Sequence, residues 1–156
     1  MTKPVLLAGV LGGLLGGIGG FALTRAFPTQ PLPDKPHEAR PVADDLFAKL
    51  QKGRTDEFLA AVRPGFAELD DAAFETGVRQ PLQAAREGFA KGFGGPGQFE
   101  FYRELAPAPG LVRFIYLERY PKGCLVWFLY AYRTADGWSP VGFKYMKADA
   151  VFEALK

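Results

Sequence analysis

The sequence predicts an α+β protein in which an N-terminal transmembrane helix precedes helices packed on a curved, cone-like, four-stranded antiparallel meander. Three observations carry this. Residues 4–24 hold no charge. Apolar residues then recur every three or four positions up to a glycine-rich break at residues 94–97. Beyond that break the period drops to two, and the connections are so short that neighbouring strands must run antiparallel.

The uncharged run lies between Lys3 and Arg25 and counts twenty-one residues, seven of them glycine. As a helix it extends roughly 31 Å at ~1.5 Å per residue, the thickness of a hydrocarbon core. Membrane lipid around residues 4–24 is therefore its expected partner. Gly9, Gly13 and Gly17 repeat at the four-residue spacing that lets two helices approach closely in a bilayer; a merely glycine-rich anchor is the plainer account. A cleavable signal peptide is the alternative, with small residues at 20–22 and 24–26. The run exceeds the usual apolar core of about 7–15 residues, which favours an uncleaved, single-pass signal anchor over residues 1–25 with the domain outside the cytoplasm. Five prolines in residues 26–41 then predict an extended linker.

Composition narrows the chemistry. Residues 1–41 carry Lys3, Arg25, Lys35 and Arg40 against Asp34 and Glu38, whereas residues 42–156 hold fifteen charges of each sign. A domain without net charge gives no electrostatic reason to expect nucleic acid. Cys124 is the single cysteine, so an internal disulfide and multi-cysteine metal sites are excluded. His37, the single histidine, falls in the linker, which removes histidine-dependent triads from the domain at 42–156. No metal and no cofactor are expected.

Within that domain, Asp44 or Asp45 is placed to cap a helix carrying Leu46, Phe47 and Leu50. Gly53 ends it, and Thr55 starts a second helix with Phe58, Leu59 and Val62 that Pro64 stops. Asp70 opens a longer segment with Phe74, Val78, Leu82, Ala85, Phe89 and Phe93 on one stripe, kinked or restarted at Pro81. Strands follow at 98–105, 111–120, 124–133 and 138–146, and a short helix over 148–155 closes the chain. A three-residue turn at 121–123 sets Tyr120 opposite Cys124. That register puts Phe114, Tyr116, Phe128 and Tyr130 on one face; pairing Arg133 with Trp138 adds Val141, Phe143 and Tyr145. Ile115, Leu117, Trp127 and Leu129 then centre the other face, with Arg113, Arg119, Arg133 and Lys144 around them. Glu100 and Glu104 are in reach of those arginines for cross-strand ion pairs.

Residues 46–58, an interrupted pair of first helices, together with Asp136-Gly137-Trp138 at the last turn, make residues 44–146 resemble the nuclear transport factor two-like (polyketide cyclase-like, cystatin-like α+β) superfamily. The resemblance implies a pocket between the helices and the concave sheet face, and an outer face that pairs with a second subunit. It assigns Phe114, Tyr116, Phe128, Tyr130 and Tyr145 to ligand binding, and Ile115, Leu117, Trp127 and Leu129 to a homodimer interface. Enzymatic members of that superfamily use an Asp/His dyad, or an acid base with a tyrosine donor. Only Glu118 beside Tyr116 and Tyr130 fits the second pattern; the plainer account is a solvated carboxylate at the strand end. The leading expectation is a membrane-anchored, non-catalytic binding or interaction module of the cell envelope, whose ligand is an unknown small molecule or protein. The alternatives are a pocket enzyme of isomerase or cyclase type using Glu118 and tyrosines, and a structural dimerisation unit.

Overall fold

The computed structural model describes residues 35–153. The apolar run, with Gly9, Gly13 and Gly17, lies outside the described residues, among which no helix is long and apolar enough to cross a membrane. The described part is α+β, as expected: the helices that precede the sheet pack on one face of four antiparallel strands in the order β1-β2-β3-β4.

Helix α1 (Arg40–Gln51) begins inside the stretch read as linker. Pro41 sits in its first turn, where the missing N–H costs nothing and the fixed φ suits a helix start. Ala39, just before it, is already fully buried. Asp44 and Asp45 thus fall within the helix rather than capping it, and they pair with Arg40 and Lys49 four residues away. Gly53, at φ 72°, turns the chain into α2 (Thr55–Val62). Pro64 then confines the following residues to a single tight turn, Arg63–Phe66, and Gly65 in that turn lies directly on the backbone of Val141; an added Cβ would come within 2.4 Å of it.

Asp70 caps α3 (Asp71–Phe74) by accepting the Ala73 N–H at 2.8 Å. Pro81 restarts the helix as anticipated. It has no N–H for the carbonyl of Gly77, and the backbone answers with one wide turn over Glu75–Arg79 before α4 (Gln80–Phe93) begins.

The strands are β1 (Gln98–Ala108), β2 (Leu111–Tyr120), β3 (Gly123–Thr134) and β4 (Gly137–Lys147), followed by α5 (Ala148–Glu153). The β2–β3 register departs from expectation by one residue. Tyr120 pairs with Gly123 across a two-residue loop, so Tyr116 faces Trp127 and Phe114 faces Leu129. Gly123 closes the ladder because the Phe93 ring presses on it, 2.9 Å from any added Cβ, while the Lys122 N–H donates to the Phe93 carbonyl at 3.0 Å. One residue of slip moves every β3 side chain to the opposite face. Pairing of Arg133 with Trp138 is as expected, but a bulge at Val141 shifts the remainder, and Phe143 and Tyr145 come to face Leu129 and Trp127. A second bulge on β1 falls at Tyr102.

Helices and sheet enclose one core around Phe47, Phe58, Phe114, Trp127 and Leu129. Phe47 touches the rings of Phe58, Phe99, Tyr116 and Trp127, with the Tyr116 ring stacked at 4.0 Å. A smaller cluster of Ile115, Val126 and Phe128 lies on the outer face, and α5 runs against β3 and β4 there.

Candidate functional site

The corrected register divides both expected residue sets. Phe114, Tyr116 and Tyr145 lie on the helix side, together with Trp127 and Leu129, which had been grouped with the interface. Phe128 and Tyr130 lie outside with Ile115 and Leu117. The helix-side aromatics pack on one another, and Trp127 fills the centre with no exposure.

Glu118 shares that interior. It is fully buried, not solvated at a strand end. Arg86 of α4 donates from Nη1 to Glu118 Oε1 at 3.1 Å, and the Trp127 indole N–H donates to Oε2 at 2.8 Å. The Tyr120 phenol lies against the same carboxylate; burial first and Glu118 second raise its pKa. Gly97 makes this approach possible, because a Cβ there would come within 2.4 Å of the Glu118 side chain. Arg86 also reaches the Leu50 carbonyl at 3.1 Å. Next to it, Gln51 donates to the Gly97 carbonyl and accepts the Phe99 N–H. The ends of α1, α4 and β1 are thus tied to one buried carboxylate. Both oxygens of this carboxylate are engaged, one of them by a guanidinium, in charge-assisted hydrogen bonds that fix its orientation.

A second polar group stands at the other end of the sheet. The His37 backbone N–H donates to Glu104 Oε1 at 2.7 Å, and its imidazole Nδ1 accepts the Ala39 N–H at 3.1 Å. The ring packs edge-on against Trp138 and Phe114. His37 therefore belongs to the folded body, contrary to its placement in a linker. Glu104 turns to this side, with Arg40 Nη1 3.9 Å away, instead of meeting the arginines of the outer face. Arg40 lies 3.1 Å over the Phe101 ring and bonds Asp44, which also accepts the Tyr116 hydroxyl. Glu104 Oε2 and the Trp138 N–H are buried with no hydrogen-bond partner among the described residues.

The strands place Arg103, Arg113, Arg119 and Lys144 on the outer face together with Glu100, which pairs with Arg119 at 2.9 Å as expected. Arg113 lies over the Phe128 ring. Cys124 is half-buried on this face, and burial pushes its thiol pKa up, away from thiolate chemistry. Among the described residues no cluster of His, Cys, Asp and Glu is arranged to hold a metal.

Arg86 and Gln51 escaped the sequence reading. Arg86 carried a usable signal, being four residues after Leu82 and three before Phe89, on the buried stripe of α4. Compared with models of known protein families, with curated proteins and with solved structures, the chain matches none of them.

Proposed function

We propose that this chain is a membrane-anchored, non-catalytic binding or interaction module of the cell envelope, held to the bilayer by residues 4–24 with its body outside the cytoplasm. The observation that carries the non-catalytic part is the state of Glu118. Among the described residues, the carboxylate the sequence offered for general-base work is enclosed and bound by Arg86 and Trp127, so freeing it means breaking its ion pair with the part-buried Arg86 guanidinium and its bond to the indole N–H. The aromatic packing of Phe47, Phe58 and Trp127 around it supports the same reading. The uncharged run and its flanking Lys3 and Arg25 support the anchor. Helix pair, long helix and antiparallel meander, in that order, support a cone-like architecture of the nuclear transport factor two-like kind.

Two measurements test the proposal. The full chain should stay in the membrane pellet through high-salt and alkaline washes, since hydrophobic transfer and not charge retains it; release by either wash overturns the anchor. In cells lacking the native copy, a folded Glu118→Gln chain should restore whatever the deletion impairs. Failure of that folded variant to restore it overturns the non-catalytic reading.

A further inference from the structure

The charge of the body is balanced as a whole, but not on the outer sheet face. On the strands there, Arg113 and Lys144 stand with Glu100, which Arg119 already occupies. Arg113 and Lys144 have no carboxylate partner among the described residues; they flank β3 from either side, opposite Tyr130 and Phe128. Helix α5 covers the end of this face near Met146 and Ala148. Among the described residues the other end is open: Tyr132 is 51% exposed, and a Cβ built on Gly142, opposite Tyr130, meets nothing within 4 Å. Phenols and long cations thus border a strip that no described element covers.

The chain enters the body at this same end. Glu38 pairs with Arg133 at 2.9 Å, and Arg133 is the chain neighbour of Tyr132. We propose that the open half of the outer face, with Arg113, Tyr130, Tyr132 and Lys144, docks on anionic phospholipid headgroups of the membrane that holds the anchor. This rests on the anchor reading above. Tyrosine beside lysine or arginine is the residue chemistry of the membrane interface, where the ring settles at headgroup depth and the cation meets phosphate. Short range favours the lipid over a soluble polyanion. A free polyanion approaches a body with no net charge, and attraction to one face fades within about 8 Å at physiological salt. A tether brings that face repeatedly within such a distance of its own bilayer.

The test uses the full chain carrying Cys124→Ser and Ser139→Cys, labelled at position 139 with a fluorophore and reconstituted into phosphatidylcholine vesicles with or without an equal amount of phosphatidylglycerol. Ser139 lies opposite Tyr132 on the open strip. Quenching by acrylamide should fall several-fold when phosphatidylglycerol is present and recover at high salt. Arg113→Gln and Lys144→Gln should each weaken the shielding by about fivefold. A label at Ala60→Cys, exposed on the helix side, should respond to neither lipid nor salt. Equal quenching at position 139 in both vesicles, from a chain that survives an alkaline wash, overturns the docking surface and leaves the anchor standing. A chain that washes out overturns both. Shielding by soluble DNA or polyglutamate in phosphatidylcholine vesicles, without shielding by phosphatidylglycerol, assigns the face to a soluble partner and overturns the proposal.

Discussion

Arg86 binds Glu118 and the Leu50 carbonyl with two different nitrogens, and removing it leaves a fully buried carboxylate with only the Trp127 and Tyr120 donors. Arg86→Met should therefore cost about 3 kcal/mol or more, because the stranded charge, not the lost bond, dominates. Adding Glu118→Met should return part of that loss, as the stranded charge disappears. Urea unfolding of the two single variants and the double one measures this; a double variant no more stable than Arg86→Met would show that the carboxylate is not stranded. Tyrosines report on the same interior through pH. Burial, and then Asp44, raises the pKa of Tyr116; burial and then Glu118 raises that of Tyr120, and burial raises that of Tyr145. Tyrosine in the unfolded chain ionises near pH 10. Their contribution is complete below that pH and is lost as pH climbs through the higher folded values. Absorbance titration should show these three of the six tyrosines ionising late, with stability declining above about pH 10. One ionisation step accounting for every tyrosine would contradict the burial described. Glu118 itself was visible in the sequence, but its surroundings were not. Burial depends on which helix crosses which strand, and Arg86 lies thirty-two positions away.

At the level of elements, period and punctuation made almost everything legible. The helices and strands appear where the apolar spacing places them, Asp70 caps as its position suggests, and Pro81 restarts a helix. Register was not legible, for two local reasons. Gly123 reads as turn material but pairs, because Phe93 occupies the space a side chain would need. The Val141 bulge leaves no periodic mark, since it arises where the turn containing Gly65 presses on β4. Glycine substitutions separate these roles. Gly88 and Gly92 lie in α4 with nothing within 4 Å of an added Cβ, so replacing either by alanine should stabilise the protein by about 1 kcal/mol. Gly65→Ala should instead destabilise it, as the methyl meets the Val141 backbone. Thermal unfolding of the three variants distinguishes the two cases, and a neutral Gly65→Ala would place the turn away from β4.

For the whole molecule, the division of apolar residues between two faces had suggested self-association through Ile115, Leu117, Trp127 and Leu129. Trp127 and Leu129 now lie in the interior, and Ile115, Val126 and Phe128 are buried within the chain. Leu105, Leu117 and Met146 stay partly exposed there, beside Arg113, Arg119 and Lys144, and like charges work against the pairing of two such faces. Residues 35–156, made without the preceding segment, should accordingly sediment as a monomer at tens of micromolar. A dimer that Lys144→Glu strengthens would show two such faces meeting. Among the described residues the meander also leaves two strand borders, β1 and β4; β1 is irregular at Tyr102 and again between Leu105 and Ala108, and β4 at Val141. A strand arriving from another molecule finds the Phe99 N–H of β1 already taken by Gln51, and on either border it meets residues out of step. Molecules crowded side by side in a plane meet border to border far more often than molecules in free solution. Borders with residues out of step make poor templates for growth into ribbons.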